Sequence, residues 1–221
     1  MDENTLGTQA RRDCYALIAN LLLKRPEKKD FPVLAEELAA LVSAFDESRE
    51  ELERLMTARD FVAKTEQEYY DVFFVPKSGH YVPPYASCLL SYSPGKKKPF
   101  GFLDPVQSAR VQASYDRFGF DPHSLDIFSP WRQAGAADHI GFCFAFMANL
   151  CDAQHQEKEP EAKETWRTAQ VQFLKTELLP CLPNFETALS QARAPFYSVL
   201  GRGARAWAEY DMACLLGNAQ Q

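Results

Sequence analysis

Ile140-Gly141-Phe142-Cys143-Phe144-Ala145-Phe146-Met147-Ala148-Asn149-Leu150-Cys151 is the longest strongly apolar stretch of this chain. At twelve residues, with Asn149 inside it, it falls short of the roughly 18 that a membrane-spanning helix needs. It reads as a buried helix, because Phe142, Phe144 and Phe146 make it apolar nearly all round. His139, Cys143, Met147, Cys151 and His155 recur along it at every fourth position, a spacing that suggests a soft-metal stripe. Each such step turns about 400°, so the stripe drifts about 40° per step and the two histidines end up roughly 160° apart. At most a neighbouring pair such as Cys151 with His155 shares a face, and the stripe reads as core with no metal site.

On either side of this helix the apolar residues keep a helical period almost everywhere and nowhere alternate cleanly enough for a strand ladder. The spacing predicts helices over residues 8–23, 32–45, 47–75, 105–118, 138–155, 160–179, 183–192 and 195–216. Pro32, Pro105, Pro160 and Pro195 suit first helical turns, where a missing N–H costs nothing, and Gly119 and Gly217 suit helix exits. Eight of the fourteen prolines fall between residues 76 and 130, and residues 76–102 show no element of their own. Twelve of the 28 aromatic residues lie between Tyr69 and Phe120, too apolar a composition for a free linker, so this stretch is expected to pack. The expected fold class is all-α: a single compact helical domain over residues 1–221, of about eight to ten helices, with a long Pro- and aromatic-rich loop in the middle. The 119–137 connection is long enough to serve as a hinge, and both monomer and dimer are compatible with the chain.

A hydrophobic content of 46 % is enough for a real core. Against 30 Asp and Glu stand 24 Lys and Arg, a formal charge of −6, so a phosphate backbone finds no basic footprint and nucleic acid is not an expected partner. Six scattered cysteines without a C-x-x-C pair read as small hydrophobes in a reducing compartment. Arg11-Arg12 ahead of an apolar run resembles a twin-arginine export signal. However, Asp13 follows the pair, Lys24-Arg25-Pro26 ends the run and no small-x-small cleavage site appears. The segment reads instead as an amphipathic first helix, and the protein as cytoplasmic with no stable membrane insertion. Lys96-Lys97-Lys98 lacks the strand, glycine pattern and helix start of a phosphate loop and reads as a solvated turn. Gly201-Arg202-Gly203 lies inside a helical pattern, with no βαβ unit to make a dinucleotide site of it. No Ser/His/Asp order, glycine-flanked nucleophile or recognisable carboxylate pair appears, so no catalytic residue and no cofactor is expected.

Asp138 precedes the central helix and suits its N-cap, with the carboxylate on a backbone N–H; Gly141 at N3 supplies no capping box. Beside His139, the same carboxylate is also placed to present one face outward, where a guanidinium fits it bidentately. Three segments then stand out together. The first is Glu68-Tyr69-Tyr70-Asp71-Val72-Phe73-Phe74-Val75-Pro76, followed by Tyr81-Val82-Pro83-Pro84-Tyr85-Ala86-Ser87. The second is Asp138-His139-Ile140 leading into Phe146-Met147-Ala148-Asn149-Leu150, and the third is Phe173 to Phe185 with Pro195-Phe196-Tyr197 and Trp207 to Asp211. In order and spacing they resemble the TorD/DmsD family of chaperones that mature molybdenum-containing oxidoreductases, with the NarJ group as more distant relatives.

The resemblance implies an all-α, non-enzymatic, cytoplasmic chaperone. Such a protein binds the twin-arginine signal peptide of a client enzyme and holds the apo form until the molybdopterin cofactor is inserted. The signal-peptide-binding residues implied are Tyr70, Phe73, Phe74, Pro84, Tyr85, Ser87, Asp138 and His139. Tyr70, Phe73 and Phe74, at i, i+3 and i+4 of one helix end, would line an apolar groove beside Pro84-Tyr85, and Asp138-His139 would form its polar end. Two other classes stay open: a small metal- or nucleotide-dependent enzyme using the His139/Cys143 region, and a structural helical adaptor. Bound metal or nucleotide turnover marks the former; partner capture indifferent to changes at Tyr85 and Asp138 marks the latter.

Overall fold

The structure, a computed structural model, describes residues 7–45, 48–134 and 136–217. Eleven α-helices follow one another in these residues. They are α1 Thr8–Leu23, α2 Phe31–Phe45, α3 Arg49–Met56, α4 Phe61–Phe73, α5 Ala86–Leu90, α6 Pro105–Arg117, α7 Ser129–Ala134, α8 Ile140–Gln156, α9 Pro160–Phe173, α10 Leu182–Gln191 and α11 Pro195–Gly217. A 3-10 turn at Pro122–Ser124 precedes α7, and α9 runs on into a π-helical turn at Leu174–Leu178. Among the described residues there is no sheet; an isolated antiparallel bridge joins Tyr85 to His139. The all-α class with a Pro- and aromatic-rich middle is what the apolar periodicity indicates.

Helix α8 is the axis. Phe142, Cys143, Phe144, Phe146, Met147, Leu150 and Cys151 are all buried, so the stripe of fourth positions is core down to Cys151, while His155 is exposed. Among the described residues no group of three His, Cys, Asp or Glu is placed to hold a metal ion. Helix α1 lies along α8 at short range because position 141 has no side chain: a Cβ there would stand 2.7 Å from Leu23 Cγ. Gly201 and Gly203 serve the same end on α11. Two residues turn a helix by about 200°, so Gly201 meets Leu189 of α10 and Gly203 meets Val42 of α2, where Cβ atoms would lie 2.9 and 2.8 Å from side-chain carbons.

Arg11 is in the core. Its guanidinium donates to Asp211 through Nε and through Nη2 at 2.9 Å, and to Gln170 Oε1 at 2.6 Å; the Tyr15 hydroxyl donates to the same Asp211 at 2.7 Å. The cluster ties α1, α9 and α11 together, and the buried charges are matched by a forked ion pair to which Gln170 and Tyr15 add further hydrogen bonds. Its neighbour Arg12 turns outward to Asp13.

The boundaries differ from expectation in three places. The helix expected over 47–75 is two helices, and its expected start at residue 47 lies outside the described residues. Thr57 ends α3 by turning its hydroxyl back to the Arg54 carbonyl at 2.7 Å, and α4 restarts so that Phe61 stacks on Phe31 and Phe196 at 5.6 and 6.0 Å. The 76–102 stretch packs as expected, with Val82 to Leu89 buried, but it contains the short helix α5. The 119–137 connection contains α7, which is tied down by the Phe128 N–H on the Leu23 carbonyl (2.9 Å) and by Trp131 Nε1 on the Tyr69 hydroxyl (2.6 Å).

Candidate functional site

The end of α4 supplies one wall. Tyr69 is buried, and its ring touches Tyr70, Phe73 and Phe74 at 6.0, 5.5 and 5.4 Å between centroids. Tyr70 and Phe74 stay part-exposed, whereas Phe73 faces inward against Tyr197. The chain then turns through Gly79 and returns, with the Val82 N–H on the Val72 carbonyl at 2.7 Å, to set Pro83, Pro84 and Tyr85 beside the start of α8. There the two stretches bond reciprocally: the Ile140 N–H donates to the Pro84 carbonyl at 2.8 Å and the Ala86 N–H to the Asp138 carbonyl at 2.9 Å. Pro84, Tyr85, Ser87, Asp138 and His139, separated by more than fifty residues of chain, are thereby neighbours.

Asp138 corrects the expectation in two respects. It caps α5 instead of α8, its Oδ2 accepting the Ser87 N–H at 3.0 Å, and it is fully buried, so its carboxylate does not present a face outward. The cause is the bridge between the two stretches: once residues 84–87 pair with 138–140, the carboxylate lies directly over the free N–H groups of α5. The cap of α8 is His139, whose Nδ1 accepts the Gly141 N–H at 3.0 Å. Since Nδ1 accepts, the ring proton is on Nε2. Burial lowers the His139 pKa from 6.5 to about 3, so the ring is neutral. Burial, helped by the Asp138 charge, pushes the Cys88 thiol up to about 11, and burial, helped by Tyr81 and then by Asp138, pushes the Tyr85 hydroxyl up to about 12.

Six buried polar side-chain atoms among the described residues have no hydrogen-bond partner, and three of them are Ser87 Oγ, Asp138 Oδ1 and His139 Nε2. Such atoms are scarce in folded proteins because each forfeits a solvated hydrogen bond. Three of the six gather in one four-residue turn and its bridging partner, which sets this place apart from the rest of the buried interior.

Two further residues join the site that the sequence reading did not single out. Trp131 of α7 is buried and spans the two walls, 4.3 Å from the Phe74 ring and 4.4 Å from the His139 ring. Phe128 lies on Tyr70 and Phe74 at 6.0 and 5.5 Å. Together they cover the aromatic wall with a segment of the protein's own chain. Ser129-Pro130 ahead of Trp131 is the available signal for this short helix, since proline favours a first turn. On the polar side, a 340 Å³ cleft beside Phe128 carries Glu27, Asp30 and Asp126 together with Lys24 and Arg25.

Glu68, one residue before Tyr69, accepts the Tyr197 N–H at 2.9 Å at the start of α11, and burial raises its pKa from 4.5 to about 7. Its sign is opposite to that of His139. The unfolded chain takes up a proton on His139 below pH 6.5 that the folded chain refuses until about 3, so this stability is lost as pH falls. The folded chain keeps a proton on Glu68 between 4.5 and about 7 that the unfolded chain releases, so that stability is lost as pH rises. Between 4.5 and 6.5 the two slopes cancel. Glu68→Gln should unmask the His139 slope, about 1.4 kcal/mol per pH unit, in urea midpoints measured across that range. A variant that follows the parent at every pH contradicts the assignment.

The family model described as nitrate reductase delta subunit matches residues 34–187, well over half of the chain. The chain belongs to this family. The nitrate reductase delta subunit family takes in the TorD/DmsD chaperones, and its members are non-catalytic and serve molybdoenzyme maturation. The family span contains both walls of the site and Trp131. No curated protein and no solved structure matches the chain. No helix among the described residues is long and apolar enough to cross a membrane.

Proposed function

We propose that this member of the family is a cytoplasmic chaperone of residues 1–221, acting as one unit, that binds the twin-arginine signal peptide of a molybdopterin-dependent oxidoreductase. It assists folding and cofactor insertion of that client before export. The observation that carries the reading is the set of unpartnered atoms on Ser87, Asp138 and His139 beside part-exposed aromatics. A twin-arginine signal offers the complement: guanidinium donors for Asp138 Oδ1 and Ser87 Oγ, peptide carbonyls for the His139 Nε2–H, and an apolar run for the aromatics.

Tyr70, Phe74, Pro84 and Tyr85 take the apolar run, with Phe73 backing them from the core. At the polar end Asp138 Oδ1 and Ser87 Oγ accept guanidinium N–H groups, and the His139 Nε2–H donates to a carbonyl of the peptide. Phe128 and Trp131 lie over these walls, so the peptide enters as α7 lifts and gives up the Trp131–Tyr69 and Phe128–Leu23 bonds, with the parts of the 119–137 connection that flank α7 as the hinge. Burying roughly 300 Å² of apolar signal at about 25 cal/mol/Å² contributes about 7–8 kcal/mol, against about 1.5–3 kcal/mol for a charge-assisted hydrogen bond. The groove therefore sets affinity, and the Asp138 carboxylate, with Oδ1 free and Oδ2 on the Ser87 N–H, sets the preference for Arg over Lys, because the planar guanidinium offers several fixed donors to Oδ1 and Ser87 Oγ together. Ordering a disordered signal offsets part of the gain and leaves an affinity of about 1 μM.

The test is fluorescence anisotropy with signal peptides from the host's molybdoenzymes, each beside its Lys-Lys version. Saturable binding that favours Arg-Arg is the expected result and names the client. Equal affinity for both versions removes the signal-specific reading and leaves a helical adaptor.

A further inference from the structure

We propose that the loop between α5 and α6 docks the protein reversibly on an anionic bilayer surface. Phe102 is 88 % exposed, Val106 75 %, Leu103 51 % and Leu90 41 %, and Lys96, Lys97 and Lys98 stand exposed next to them. Four large apolar side chains turned to water in a span of seventeen residues are unusual on a soluble surface and mark a contact region.

The loop is held in shape before any partner arrives. The Ser93 N–H closes it on the Pro99 carbonyl at 2.7 Å, Tyr92 stacks on Phe100 at 4.9 Å, and the Gly101 N–H bonds the Cys88 carbonyl at 3.1 Å. Gly101 sits so close to Ser91 that a Cβ would meet Ser91 Cβ at 2.7 Å. Leu90 and Phe102 therefore flank one contact. Tyr92 reaches Gln191, and Asn184 holds the Leu89 carbonyl, both at 2.8 Å, which fastens the base to α10. A preformed loop loses little freedom on docking.

Charge and shape choose the occupant. Residues 90–106 carry three lysines and one acid, Asp104, whose carboxylate accepts the Val106 N–H at 2.9 Å at the start of α6. In a chain of net charge −6 this is a local cationic tip, so an anionic surface attracts the tip and repels the remainder. The apolar side chains are turned to water, and the four clefts described, among them those between α6 and α9 and beside Phe128, are lined by other residues. Exposed apolar side chains on a loop that also carries three exposed lysines suit a soft interface that closes around them, with apolar groups at headgroup level and ammonium groups among lipid phosphates. Each lysine at such a surface strengthens binding by about fivefold, the three together by about a hundredfold, and salt screens the gain.

The experiment is co-sedimentation of the full chain with vesicles of phosphatidylcholine alone and of phosphatidylcholine with phosphatidylglycerol, at low and high salt. Lys96→Glu/Lys97→Glu/Lys98→Glu and Phe102→Ser/Leu103→Ser are compared with the parent; all five positions are exposed, and thermal midpoints verify the folds. The expected result is salt-sensitive binding to the phosphatidylglycerol vesicles only, weakened by more than about a hundredfold on charge reversal, since three attractions are lost and three repulsions gained, and also lost on removing the apolar pair. No sedimentation with anionic vesicles, or binding that both variants retain, overturns the proposal. Retained vesicle binding with lost client capture would assign the loop to a protein partner instead.

Discussion

Asp211→Ala is expected to cost about 3–5 kcal/mol of stability, the range for breaking a buried ion pair by removing one partner. The Asp211 carboxylate receives two bonds from Arg11 and one from Tyr15. Without it, Arg11 keeps its charge inside the core with Gln170 alone, and the Tyr15 hydroxyl loses its acceptor. Against a total of about 5–15 kcal/mol for a folded domain, that is a large fraction. Arg12→Ala, one residue from Arg11 but on the surface, should stay within about 0.5 kcal/mol of the parent. Replacing both partners, as Arg11→Met with Asp211→Leu, should recover most of the loss, because apolar groups of similar size need no counter-charge. Urea midpoints at unchanged slope provide the measurement. A loss below about 1 kcal/mol for Asp211→Ala would mean that water screens the pair.

Asp138→Asn is the substitution that separates holding the fold from reading the signal. Asparagine keeps an oxygen for the Ser87 N–H, so the cap on α5 survives, but the charge is gone. Affinity for the Arg-Arg peptide should fall by about ten- to a hundredfold, the value of a charge-assisted hydrogen bond, and affinity for the Lys-Lys peptide by less. Equal losses would reduce Asp138 to a residue that positions α5.

How much of this is legible without coordinates differs by residue. Helix α1 has the expected bounds, Thr8–Leu23, because Tyr15, Ile18 and Leu22 are spaced to bury one face and the period alone decides the matter. The burial of α8 is equally legible, since a helix apolar all round has no face to leave in water. Helices α5 and α7, five and six residues long, are too short to form on their own propensity. One exists because Asp138 caps it from across the fold, the other because Trp131 is anchored on Tyr69. The direction of the Asp138 carboxylate is hidden for the same reason. Locally it suits its own helix, and only the pairing of residues 84–87 with 138–140 assigns it to another. The Arg11-Arg12 pair has one residue buried and one exposed, a distinction set by Asp211 two hundred residues away.

Hydrogen exchange read by mass spectrometry, with and without a saturating Arg-Arg signal peptide, tests the proposed site most directly. Peptide binding should slow exchange in residues 69–75, 81–88 and 138–140 and speed it in 128–134 as Trp131 leaves His139 and Phe74. Protection confined to another cleft, such as the 620 Å³ one between α6 and α9, or no change anywhere, would contradict the account.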